Sequence, residues 1–530
     1  MDSHSILALP SNIHLDIFHA VHENGDRILT ISHVCKLWRE LSVNTSIFWT
    51  HIPVDISLIN SEIIFDDPLT LSPSRALEVF PWPATLLHRS GFRPIDLDII
   101  VKTRLQLPQF DDWRFPKQGL NIPWAPAHSM ILSRILAPHA ARFRSVVMVS
   151  NVWHPIHFLS ESLFGISMPF LEEWNVALDN SILGVFIPAG NLLPENVVLQ
   201  CPVDNSPSIE VNQALYPKLT YLSLGGITHG WRRLVPRNLV SLDLSNLPLR
   251  SRPTFEELKV LLLSSKLTLE VLKLSTSAPQ SVQPVPDNDK ITLPNVRTLK
   301  LGLSFVENDL ILVTHLDVPG LESLEICDFT NRGVCFEYHT FNDLHPQNIY
   351  LEILRNWPLM QLKCLSLESP HSYTEEDSFT LLHHDFIAGR KPSVHPPVFT
   401  TLFLNCSSLK NLRIVDPDPE TLMALNVALV LQDDEPGILP CGSLDVLDIK
   451  TRNHQALAQF LARMKFYSGF KSSRITRRFI PSIILDVPPD WGAFLCRRIS
   501  HGICAQLLNG QEGYFMVESG RVFNLLDNLP

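Results

Sequence analysis

From about residue 140 to about residue 450 one spacing of apolar residues recurs: an apolar residue, two variable ones, a second apolar, one variable, a third apolar. It reads Phe143, Val146, Met148; Leu171, Trp174, Val176; Leu219, Leu222, Leu224; Leu239, Leu242, Leu244; and Leu269, Leu272, Leu274. It continues with Val296, Leu299, Leu301; Leu321, Leu324, Ile326; Leu362, Leu365, Leu367; Leu409, Leu412, Ile414; and Leu444, Leu447, Ile449. The last two positions of each copy lie two apart and share one face of an extended chain, while the first turns the incoming backbone inward. Each copy therefore predicts a short strand with one buried face, and the succession predicts a stacked, mainly parallel sheet. Intervals between first positions run 28, 48, 20, 30, 27, 25, 41, 47 and 35 residues, so the returns between strands carry insertions. The longest interval has room for a degenerate unit at Val197 and Leu199, with Pro194 in its first position. Phe399, Leu402 and Leu404 repeat the spacing too close to Leu409 to form a strand of their own, and predict the end of a return helix running into CSSLKNLRI.

Upstream the period changes from 2 to 3.6. In LPSNIHLDIFHAV, Leu9-Pro10-Ser11 can start a helix that carries Ile13, Ile17, Phe18 and Val21 on one side. Asn24-Gly25-Asp26 ends it. The stretch RILTISHVCKLWREL then spaces Ile31, Val34, Cys35, Trp38 and Leu41 as a second helical stripe. A segment of about fifty residues buries only about 60% of its chain's surface, so a stripe this wide and aromatic predicts a partner surface. Leu9-Pro10, Ile17-Phe18, Val34-Cys35 with Trp38-Arg39, and Phe48-Trp49 before Ile52 together resemble an F-box, the helical module that docks on the Skp-type adaptor of cullin-RING ubiquitin ligases. The resemblance carries Leu9, Pro10, Ile13, Ile17, Phe18, Val34, Cys35, Trp38 and Trp49 over to the adaptor contact. Asn12 departs from the family pattern, which often has an acidic residue after the proline.

Behind this segment the repeats resemble leucine-rich repeats, in which each unit adds a strand to a curved solenoid, although their intervals are far less regular than the usual roughly 20 to 29 residues. The 41 prolines fit the same scheme. Pro169, Pro217, Pro236, Pro294 and Pro319 stand just before the first apolar position of a unit, where a missing N–H precedes the ladder and a preceding helix is stopped. An F-box followed by such "LPxLxxLxL" units is similar to the expanded F-box-like family of basidiomycete fungi.

The predicted architecture is α/β: an F-box over residues 1–53, a linker and connecting helix over 54–90, an irregular leucine-rich-repeat-like solenoid over 91–454, and a C-terminal repeat and cap over 455–530. The connecting helix lies in RALEVFPWPATLLHRSG and ends at Gly91; RPIDLDIIV predicts a strand with Ile95, Leu97 and Ile99 on one face. Phe110 to Trp124 reads as a proline-rich, aromatic loop across a sheet edge, with a binding loop as the alternative. Downstream, HQALAQFLARMKFY predicts a helix, IPSIILDVP a strand, WGAFLCRRISHGICAQLLNG a helix and GYFMVESGRVFNL a hairpin turning at Glu518-Ser519-Gly520.

Composition narrows the function classes. A net charge of −11 over 530 residues disfavours bulk attraction to nucleic acid or anionic lipid. The nine cysteines are scattered and never form a CxxC pair, as expected of buried thiols in a reducing compartment. The N-terminus lacks the pattern of a signal peptide and no stretch approaches a membrane span, so cytosol or nucleus is expected. His383-His384-Asp385 has no second ligand pair nearby. Cys496 and Cys504 flank Arg497, Arg498 and His501 on a predicted helix and read as packing residues. Gly225-Gly226 belongs to no nucleotide-binding pattern. The basic run from Arg463 to Arg478 reads as a solvated face, with an acidic partner next and RNA last.

These observations predict a non-enzyme without cofactor or metal. The F-box resemblance implies a substrate receptor of a Skp-cullin-F-box ligase, whose repeats would bind a protein target through residues between the second and third apolar positions: Ser223, Asp243, Lys273, Lys300, Glu325, Ser366, Arg413 and Asp448. The alternative is a repeat scaffold whose F-box-like segment is only a structural cap.

Overall fold

The computed structural model describes residues 6, 9–23, 28–55, 77–101, 126–150, 153–163, 165–178, 215–227, 231, 235–247, 252–280, 289–329, 347–370, 398–430 and 444–451, and the strand segments 482–487, 505–509, 513–518 and 521–524. The protein is α/β with a large, mainly parallel sheet. It divides into two compact units, Met1–Leu242 with Asn246–Ser251, and Asp243–Ser245 with Arg252–Pro530.

The first unit opens with α1 (Ser11–Glu23), α2 (Ile28–Ser32), α3 (Lys36–Asn44) and a single 3-10 turn (Ser46–Trp49). The stripe predicted over RILTISHVCKLWREL is broken in two, because the Cys35 thiol accepts the Trp38 N–H at 3.5 Å and caps a new helix. The chain then enters β1 (His51–Asp55), so the last residues of the predicted F-box already belong to the sheet. There follow α4 (Pro81–Arg89), β2 (Ile95–Val101), α5 (Pro126–Leu136), β3 (Phe143–Ser150), α6 (Trp153–Leu163), β4 (Glu173–Leu178), β5 (Tyr221–Gly225) and β6 (Ser241–Ser245), the strand at which the two units divide. β1 to β5 pair in parallel and in chain order. Gly91 closes α4 at φ +60°, as its position in the sequence predicts. β1 is an edge strand containing Pro53. The Asp96 N–H bonds to the carbonyl of Thr50, so Pro53, out of phase with Thr50, has its missing donor on the open side of the sheet.

The second unit contains α7 (Phe255–Ser264), β7 (Val271–Ser275), β8 (Ile291–Thr292), β9 (Thr298–Leu303), α8 (Val306–His315), β10 (Leu316–Asp317), β11 (Ser323–Asp328), α9 (Gln347–Asn356), β12 (Cys364–Glu368), α10 (Val398–Asn405), β13 (Asn411–Val415), α11 (Pro419–Val430) and β14 (Val446–Lys450). It ends with β15 (Ser482–Val487), β16 (Ala505–Asn509), β17 (Gly513–Glu518) and β18 (Arg521–Asn524). Parallel pairing runs β7-β9-β11-β12-β13-β14-β15-β16, with β17 and β18 added antiparallel; β8 and β10 form a separate short ladder. The Phe399 segment is helical, α10, as its spacing predicts, and the predicted hairpin is β17–β18. The helix predicted over WGAFLCRRISHGICAQLLNG is wrong at its end. Residues 505–509 are strand β16, held between β15 and β17, so cross-strand pairing overrides local helical periodicity. The degenerate unit at Val197, the Phe110 loop and the helix at HQALAQFLARMKFY lie outside the described residues.

All three apolar side chains of each of the ten repeats are buried, at 5% exposure or less. Full burial of one Leu contributes about 1.5–3 kcal/mol, whereas an exposed ion pair contributes about 0–1. The apolar rows, then, hold the ladder together. In the second unit α8, α9, α10 and α11 pack successively side by side, with Tyr350 against Phe399 at 4.8 Å. Among the described residues no helix is long and apolar enough to cross a membrane.

Candidate functional site

The N-terminal helices divide the predicted docking residues into two groups. Phe18 is fully buried, with ring neighbours Trp38 at 5.1 Å and Phe48 at 6.2 Å. Trp49 is also enclosed; its Nε1–H donates to the Ser42 carbonyl at 2.8 Å, and the Arg89 guanidinium lies 4.7 Å from its ring centre. Both are core residues of the first unit. Leu9, Pro10, Ile13 and Val34 face solvent, Val34 at 59% exposure. Ile17, Cys35 and Trp38 are half-buried, and Ile17 lies one helical turn beyond Ile13 on α1.

His14 joins the two groups. Its ring is fully buried, 6.0 Å from Trp38, and its Nε2 bonds to the Ile6 carbonyl at 3.0 Å. That bond holds the chain ahead of α1, where Ile6, absent from the predicted set, adds another exposed apolar side chain. The apolar run SILALP is the signal for Ile6; it continues the pattern one turn upstream of Leu9.

The predicted target-binding residues fall into register. In the second unit Lys273, Lys300, Glu325, Ser366, Arg413 and Asp448 are successive partners across β7, β9, β11, β12, β13 and β14. Asp243 on β6 joins them through an ion pair with Lys273 at 3.6 Å. Ser223, on β5 in the first unit, is nearly covered at 8% exposure, and its row-mates are Asn175, Val147, Asp98 and Pro53.

Charges in this row are paired along it. Lys300 meets Glu325 at 2.7 Å and Arg413 meets Asp448 at 3.5 Å. Burial disfavours the charge on Lys300, but the Glu325 hydrogen bond and nearby acidic groups outweigh it and raise its pKa. Burial raises the Asp243 carboxyl, partly offset by Lys273. Two residues along β11 from Glu325, the Cys327 thiol is pushed up to about 12, chiefly by burial with Glu368 and Glu325 adding to it and Lys300 opposing. Such a thiol stays protonated and is a poor nucleophile at neutral pH. His383-His384-Asp385, Cys496, Cys504 and the basic run lie outside the described residues.

No protein-family model matches the sequence, and no curated protein matches it.

Proposed function

We propose that the chain is a non-catalytic substrate-recognition subunit of a Skp-cullin-F-box ubiquitin ligase. The N-terminal helices dock the Skp-type adaptor, and the leucine-rich-repeat-like ladder holds a protein target. Its contribution to ubiquitin transfer is positional, raising the target's effective concentration near the conjugating enzyme in the cytoplasm or nucleus. The observation that carries this reading is the exposure of Leu9, Ile13 and Val34, apolar residues at positions where the chain resembles an F-box. A segment needed only for packing has no use for them. Leu9, Pro10, Ile13, Ile17, Val34, Cys35 and Trp38 are assigned to the contact, with Phe18 and Trp49 supporting it from the core.

The competing reading, a repeat scaffold with an F-box-like cap, draws on the burial of Phe18 and Trp49 and on the continuation of the segment into β1. Co-purification of the full chain with a purified Skp-type adaptor separates the two. Val34→Glu and Leu9→Glu sit on exposed positions and should leave the fold intact while weakening adaptor capture at least tenfold, about 1.4 kcal/mol. Failure of the folded wild-type chain to bind any Skp-type adaptor overturns the ligase reading.

A further inference from the structure

His14 sits on α1 among aromatic neighbours and is fully enclosed, with Trp38 of α3 edge to face at 6.0 Å and Phe18 at 6.4 Å. Packing alone does not call for an imidazole there. A buried polar atom costs free energy unless it is hydrogen-bonded, and the Nδ1 atom of His14 is buried with no hydrogen-bond partner among the described residues. A leucine would fill the space without that cost. What the ring supplies instead is the bond from its other nitrogen. Nε2 reaches the Ile6 carbonyl at 3.0 Å, and because a carbonyl oxygen only accepts, Nε2 carries the hydrogen.

The same carbonyl accepts the Leu9 N–H at 3.2 Å, an i to i+3 bond that closes one 3-10 turn ahead of α1. Side chains three apart in such a turn are eclipsed, so Ile6 and Leu9 lie on the same side. Ile6 is 50% exposed, Leu9 39% and Ile13, in the first turn of α1, 37%. Three exposed apolar side chains thus lead into α1, and the first of them is tied by a buried bond to a ring packed against α3. Fixing an exposed isoleucine costs conformational entropy and buries no apolar area in the free chain. It does favour a later contact, because a segment already ordered need not be ordered on binding.

We propose that His14 is a positioning residue of the adaptor contact: it holds the Ile6–Leu9 turn in place, so that Ile6 joins Leu9 and Ile13 in the apolar surface that meets the adaptor. The inference rests on the adaptor reading above. It adds to that reading one residue that touches the partner, Ile6, and one that acts only through it, His14.

The test is titration of the full chain with a purified Skp-type adaptor, with amide exchange at Leu9 followed in the free chain. Ile6→Ser, at a half-exposed position where the fold loses little, should weaken adaptor binding about fivefold. His14→Leu, which fills the same space without a donor, should weaken binding by a similar factor and quicken exchange at Leu9. His14→Gln, whose side-chain N–H can reach the Ile6 carbonyl, should restore both. Because His14 acts through Ile6, the double variant Ile6→Ser, His14→Leu should bind no more weakly than either single one; independent losses would multiply to about twenty-fivefold and overturn the proposal. Binding by the wild type that Ile6→Ser leaves unchanged also overturns it, whether or not the His14 variants fold, and the adaptor reading then stands. A wild-type chain that binds no Skp-type adaptor overturns that reading and the proposal with it. Unchanged Leu9 exchange in a folded His14→Leu overturns the positioning role independently of any adaptor.

Discussion

Thr276 has φ of 53°, a left-handed conformation that is costly for a β-branched residue. It directly follows β7, and Asn246, Ser369 and Asp416 adopt the same conformation directly after β6, β12 and β13. The turn returns a bond to the ladder, since the Thr276 N–H donates to the Gly302 carbonyl at 2.8 Å and the Ser369 N–H to the Val415 carbonyl at 2.7 Å. This close approach leaves no room at Gly302, where an added Cβ would lie 2.8 Å from the Ser275 Cα and 3.0 Å from the Thr276 nitrogen. Gly302→Ala should therefore destabilise by about 1–3 kcal/mol, seen as a lower denaturation midpoint. A midpoint equal to wild type would mean that the β7–β9 spacing relaxes freely. Part of the proposed N-terminal contact was legible at this scale, since helical spacing picked out Ile13, Ile17 and Phe18 in one stripe and Val34, Cys35 and Trp38 in another, whereas Leu9, Pro10 and Trp49 entered through the resemblance. Spacing does not say which part of a stripe is covered. That depends on Phe48 and Arg89 closing over Phe18 and Trp49, contacts made across the fold.

At the scale of elements, the strands were readable because each carries its own signal, a pair of apolar residues two apart behind a third. The connections were less readable. The break at Cys35 depends on a thiol acting as a helix cap, and β16 depends on strands to either side of it. Helix α7 shows the opposite case, a boundary written locally. Thr254 accepts the Glu257 N–H at 3.3 Å while the Glu257 carboxylate accepts the Thr254 N–H at 3.0 Å, a reciprocal cap that satisfies two donors otherwise left open at the helix start. Thr254→Ala should cost about 1 kcal/mol, and Glu257→Ala made in that background should add less than it does alone. A double-mutant cycle from chemical denaturation measures that coupling, and strict additivity of the two losses would mean that the two bonds do not support each other.

Along the ladder the same short motif is used repeatedly, and in the second unit, among the described residues, each strand from β9 to β14 pairs with its two neighbours in the sheet order β7-β9-β11-β12-β13-β14-β15. Leu324 of β11 has Leu299 of β9 and Leu365 of β12 as its register partners. Stability in such an array is a sum of local terms coupled between neighbours, so a defect should spread only a short way. Removing the Leu324 side chain leaves a cavity at a position 1% exposed and should cost about 2–5 kcal/mol. The long returns around β11 and β12 make the spread of that loss a question of packing: α8 and α9 lie against each other behind β11 and β12, whereas β14 is separated from β11 by β12 and β13. In Leu324→Ala, amide exchange should quicken most in β9, β11 and β12 and least in β14, a gradient readable by hydrogen exchange with mass spectrometry. Equal acceleration from β7 to β14 would show instead that the second unit opens as one block, and the irregular returns would then have to be counted as part of a single cooperative core.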